Sequence, residues 1–178
     1  MTYPRSRLLR LGQTALALSV SLLLAGCFTS SQPKFTLASA VPALGNGGRY
    51  IVYQRNSDGS FQRDESFEMR GRADRGYDYI EDKGKVTPVS LHRIGPDRYV
   101  AQAIREDGKT ADYLVLRLRG NEVLSYGPDC AKQDAAKLKG LGVEIRDKTT
   151  CVIDRVADPA ALFATLELGE PGVKMVRE

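Results

Sequence analysis

Three cysteines and a single histidine bound the chemistry open to this chain of 178 residues. His92 would be the base of a Ser-His-Asp arrangement, but no Gly-x-Ser-x-Gly elbow accompanies it, and its neighbours Leu91 and Ile94 mark an ordinary strand position. One histidine also excludes a histidine-rich metal centre. Cys130 and Cys151 stand far outside Cys-x-x-Cys spacing, and no convincing ligand set lies near them in sequence. Gly45-Asn46-Gly47-Gly48 lacks the third glycine of a dinucleotide fingerprint and precedes a strand where a helix is required. Gly108-Lys109-Thr110 ends like a phosphate loop, but Ala103 occupies the place of the leading glycine. Asp64-Glu65 and Glu81-Asp82 could supply an acid and base pair or hold a hard cation, yet neither has the ligand spacing of a calcium loop, and both read as solvated turn charges. The expectation is no catalytic residue, no metal and no cofactor.

One constellation remains as a binding candidate. In Tyr113-Leu114-Val115-Leu116-Arg117-Leu118 the leucines share one face of a strand, and Tyr113, Val115 and Arg117 share the other. With Arg119 just beyond, that second face would present forked donors beside a flat aromatic ring, a combination enriched at binding hot spots.

The front of the chain has its own grammar. Arg5, Arg7 and Arg10 precede an apolar segment from Thr14 to Leu24, then the small residues Ala25 and Gly26, and then Cys27. This is the build of a secretory signal peptide, and the apolar core is too short and too broken by Ser19 and Ser21 for a span of about 20 apolar residues. Leu24-Ala25-Gly26-Cys27 resembles the lipobox of bacterial lipoproteins. The resemblance covers the first 27 residues and implies that Cys27 receives a diacylglyceryl group and becomes the first residue of the mature chain. Two acyl chains suffice for stable anchoring, at about 0.8 kcal/mol per buried methylene. Phe28, a residue other than aspartate after the cysteine, implies sorting to an outer membrane. With Cys27 acylated and the chain exported to an oxidising compartment, Cys130 and Cys151 are expected to form a disulfide.

Cleavage before Cys27 removes 26 of 178 residues and leaves 152, and it removes three arginines and no acids. The formal charge falls from +4 to +1, so the apparent basicity belongs mostly to the signal peptide and gives no argument for nucleic acid as a partner.

The elements that must hold these residues read as one domain. Residues 1–26 are the signal peptide and 27–47 the lipidated cysteine and tether, with Phe28 to Ala40 reaching roughly 20 Å if flexible. Residues 48–178 are the globular domain, divided into a β meander over 48–126 and an α/β part over 127–178. Turn signals at Asp58-Gly59, Gly71 to Gly76, Lys83-Gly84, Gly95-Pro96-Asp97, Asp107-Gly108 and Gly120-Asn121 recur about every 12 residues, and strands are expected at 49–55, 86–94, 98–105 and 113–118. A 49-residue shift aligns Arg49 with Arg98, Tyr50 with Tyr99, Gly59 with Gly108, Gly71 with Gly120 and Tyr77 with Tyr126, suggesting a duplicated three-strand unit. Beyond Tyr126, Asp129 caps an expected helix over 130–139, and Asp158 with Pro159 starts another reaching Leu168. The expected class is α+β: an antiparallel meander sheet or small barrel, then a disulfide-stapled part with two short helices.

Together these readings describe a lipid-anchored lipoprotein, exported and facing the periplasm, that acts without catalysis as a binding or envelope-maintenance module. Its partners would be the membrane, through Cys27, and an envelope protein or polymer. A hydrolase acting on envelope material and a small inhibitor of an envelope-degrading enzyme are the alternatives.

Overall fold

The computed structural model describes residues 28–147 and 149–178, so Cys27 and the signal segment lie outside the described residues. Eleven strands form the chain's frame: β1 (Phe28–Ser30), β2 (Gly47–Arg55), β3 (Phe61–Gly71), β4 (Tyr77–Glu81), β5 (Val86–Arg93), β6 (Arg98–Ile104), β7 (Ala111–Arg119), β8 (Glu122–Tyr126), β9 (Glu144–Ile145), β10 (Cys151–Val152) and β11 (Val173–Arg177). Strands β2 to β8 run as a meander, and β11 enters between β8 and β2, antiparallel to both. Since β6 also pairs with β7, these eight strands close into an antiparallel barrel with no free edge.

The hairpins follow from turn chemistry. At the β6–β7 turn the Asp107 carboxylate accepts from the backbone N–H groups of Lys109 and Thr110 (both 2.8 Å), while Gly108 takes φ +67°. Asp58 and Gly59 occupy the matching turn between β2 and β3, with Gly59 at φ +85°.

Eight strands enclose a space that side chains can fill. Tyr50, Val52, Phe67, Tyr79, Leu91, Tyr99, Leu114 and Leu116 occupy it, and the residual cavity among Met69, Val89, Leu114 and Met175 is about 50 Å³. By comparison, an apolar cavity that holds benzene is about 150 Å³. The lumen is therefore a core.

A second core lies outside the barrel wall. Val100, Tyr113, Val115 and Leu124 point outward and are buried under Phe28, Val143, Ile153, Leu162 and Phe163. All of Ala111 to Leu116 is consequently buried, which corrects the expectation that Tyr113 and Val115 lie on a presented binding face. The covering layer is β1, which pairs antiparallel with β7 and parallel with β10, together with the short helices α1 (Ala135–Gly140) and α2 (Pro159–Thr165).

Four further expectations are corrected. The molecule is mostly β, with helices of six and seven residues, so α+β holds only in part. The helix expected over 130–139 is split. Asp129 caps only a 3-10 turn at Cys130–Lys132, and the Asp134 carboxylate then accepts from Ala136 and Lys137 N–H (2.8 and 3.0 Å) to begin α1. Helix α2 starts on Asp158 and Pro159 as expected but stops at Thr165. The guanidinium of Arg98 takes the carbonyls of Phe163 and Ala164, Lys137 Nζ takes that of Thr165, and Leu166 turns extended into the outer core. The 27–47 segment is no tether as far as it is described: Phe28 is fully buried in β1, and residues beyond it cling to the wall and then cross the barrel end.

The 49-residue repeat survives as a hairpin and fails as a three-strand unit. Tyr50 pairs with Phe67 as Tyr99 pairs with Leu116, but a bulge at Asp64-Glu65, opposite Val52, then shifts β3 by one residue. Tyr77 begins β4, whereas Tyr126 ends β8. The Cys130–Cys151 disulfide is present, with Cα atoms 5.8 Å apart, and ties the 3-10 turn to β10.

Candidate functional site

Tyr113 is not on an open face. Its ring is fully buried 5.5 Å from that of Phe163, and its hydroxyl lies 2.6 Å from Ser30 Oγ and 3.0 Å from the Lys34 N–H that donates to it. Burial pushes its phenol pKa up. Beside it, Gln102 Oε1 accepts from the backbone N–H groups of Lys34 and Phe35 (2.9 and 3.0 Å), so β6 and β7 pin the N-terminal segment through side chains.

The same network reaches His92, which contacts Ser90 Oγ at 2.8 Å through Nε2 and Ser39 Oγ at 3.1 Å through Nδ1 under the stacked ring of Phe35. No carboxylate orients this imidazole among its hydrogen-bond partners. Desolvation lowers its pKa to about 4, so it is neutral at pH 7. In the unfolded chain the same group titrates near 6.5. Between these values the unfolded state binds the extra proton, so this contribution to stability is complete above pH 6.5 and is lost as pH falls towards 4. The expected slope is about 1 kcal/mol per pH unit near pH 5, read as the difference between wild type and His92→Gln in denaturant unfolding. Parallel pH profiles for the two proteins would contradict it.

Arg117 and Arg119 belong to a different surface. In a closed meander every second turn lies at the same end, which groups the turns at 72–76, 94–97 and 120–121 with the last residue of β11. Arg75, Arg93, Arg98, Arg117, Arg119 and Arg177 all lie at this end, and none takes part in an ion pair among the described residues. The strand and turn carboxylates here are already engaged: Glu68 with Arg70, Asp74 and Asp78 with Arg72, Glu122 with Lys174, and Glu178 with Arg49. Asp97 is the exception.

Packing holds several of these arginines in place. Arg98 and Arg117 are register partners, half-buried, each with an Nε that has no hydrogen-bond partner. Arg117 lies 5.8 Å from the Tyr126 ring centroid, and Arg93 lies 5.3 Å from that of Tyr99. Arg177 crosses Gly48, where an added Cβ would sit 2.8 Å from Nε. Gly45-Asn46-Gly47-Gly48 is thus a turn that clears room for an arginine. Below Arg177 a cavity of about 190 Å³ opens among Leu44, Tyr50, Leu118, Asn121 and Val123. Arg75 sits in the β3–β4 turn at φ +69°.

The acidic clusters meet at the other end. Glu65, on the β3 bulge, has a buried Oε1 without a partner, and burial, then Asp64, Glu81 and Asp82, raise its pKa. Burial, Glu65, Glu81 and Asp82 together push Tyr79 up as well. Among the described residues no three acidic, histidine or cysteine side chains form a metal-holding group, and no helix is long and apolar enough to cross a membrane.

Sequence reasoning found Arg117 and Arg119 but missed Arg75, Arg93, Arg98 and Arg177. The signal available was the parity of the turns, which places strand ends as far apart in sequence as Arg75 and Arg177 on one rim. Comparison with protein-family models, curated proteins and solved structures finds no match to this chain.

Proposed function

We propose that this protein is a lipid-anchored envelope lipoprotein that acts by binding, with the arginine-rich end of its barrel as the binding surface. The observation that carries the reading is the set of six arginines on one rim without carboxylate partners among the described residues. Apart from Arg98, which donates to the Phe163 and Ala164 carbonyls, these guanidinium groups on a rigid frame lose little entropy on engaging an anion and match carboxylate or phosphate oxygens in pairs. The anchor is Cys27, through the lipobox at Leu24-Ala25-Gly26-Cys27. Exported chains of this kind mature where the Cys130–Cys151 disulfide is stable. The outer membrane, facing the periplasm, is the proposed location.

The test is metabolic labelling with radioactive palmitate. Wild type should incorporate label and sediment with membranes, while Cys27→Ser should lose the label and either leave the membrane or stay unprocessed. Undiminished labelling of Cys27→Ser would refute the anchor.

A further inference from the structure

We propose that the arginine end of the barrel docks on the anionic headgroups of the membrane that holds the lipid, so that the anchored domain takes one fixed orientation. The inference rests on the lipid-anchor reading above and adds to it a partner and a geometry. Strand β1 runs antiparallel to β7, with Phe28 opposite Tyr113 and Ser30 opposite Ala111. Traced backwards towards Cys27, β1 therefore heads for the end of β7 that carries Arg117 and Arg119. Arg117 stands four residues beyond Tyr113, about 13 Å along the strand at about 3.3 Å per residue. Phe28 is locked into the sheet, which fixes the point from which the chain leaves towards Cys27.

Charge complementarity selects the occupant. Arg75, Arg93, Arg119 and Arg177 are exposed at this end, and their planar donors suit phosphate oxygens. The screening length at physiological salt is about 8 Å, so arginines held on a rim at a membrane surface act strongly, whereas the same charges on a long tether would not. Asp64, Glu65 and Glu81 gather towards the opposite end and would be repelled by the same surface, while Asp82 lies 3.9 Å from Arg49.

The test uses the mature protein purified from membranes and reconstituted into nanodiscs of phosphatidylcholine alone or with one-third phosphatidylglycerol. Amide hydrogen exchange is followed in the turns at 72–76, 94–97 and 120–121. Docking predicts exchange at least tenfold slower in the anionic discs, reversed by 0.5 M salt and absent in an Arg93→Gln, Arg119→Gln, Arg177→Gln variant whose thermal unfolding is unchanged. Equal exchange in both discs, with the protein still disc-bound, overturns the docking and leaves the anchor standing. Protein recovered without acyl groups overturns the anchor reading and the docking with it. Equal protection by soluble polyphosphate in neutral discs would show that the rim takes a polyanion chain and not a bilayer.

Discussion

Phe28→Ala is expected to destabilise the mature protein by about 4 kcal/mol, the range for emptying a buried aromatic site. Phe28 is the first described residue and, on the lipoprotein reading, the second of the mature chain, a position where truncation to alanine would ordinarily cost nothing. Here its ring is fully buried and meets Phe163 edge-on at 5.5 Å, and its backbone sits between β7 and β10. Removing it leaves a hole where the outer core meets the barrel wall, with α2 on one side and Tyr113 on the other. Equilibrium urea unfolding of the purified variant checks this. A loss below about 1 kcal/mol would mean that β1 is a loosely applied strand and that the segment behaves as the flexible tether its composition suggests.

The second large effect is the loss of the disulfide. Cys130→Ser with Cys151→Ser should cost about 3 kcal/mol, the chain-entropy value for a loop of this length. The loop contains α1 and β9, neither of which is long enough to persist alone: α1 has six residues and β9 two. They are held by Leu138 and Val143 packed in the outer core, by Lys137 Nζ on the Thr165 carbonyl and by the β9–β10 pairing. Proteolysis of the double variant is therefore expected to begin between residues 130 and 151 while the barrel strands stay protected. A variant as stable and as protease-resistant as wild type would show that packing of Leu138 and Val143 alone holds this segment.

The sequence was legible where local chemistry decides structure. Turn residues at Asp58-Gly59, Asp107-Gly108 and Gly120-Asn121 mark real hairpins, and the strands expected at 49–55, 86–94, 98–105 and 113–118 lie within two residues of those observed. Pairing of Cys130 with Cys151 was equally readable. Three features were not, and each depends on contacts distant in sequence. Residues 28–46 contain almost no periodic pattern, because Ser30, Lys34 and Phe35 are held by Tyr113 and Gln102 side chains and not by a regular ladder. Tyr113 points outward as the alternation predicts, but the expected binding face is not open there, because the return of β1 and α2 buries it. Its partner Val115 carried the warning: an apolar β-branched residue on the supposed open face marks a strand covered on both sides. The arginine rim needed one more step of reasoning, from alternating turns to a common end, which becomes secure only once β11 is known to close the barrel.

The most direct test of binding through the arginine end is site-specific photo-crosslinking in living cells. A benzophenone side chain is placed at position 119, on the arginine rim, and in a second strain at position 109, in the exposed β6–β7 turn at the opposite end. Binding through this end predicts abundant adducts from position 119 and few from position 109, with the position-119 yield falling when Arg93 and Arg177 are also replaced by glutamine. Equal yields from the two ends, or capture from position 109 alone, would contradict it.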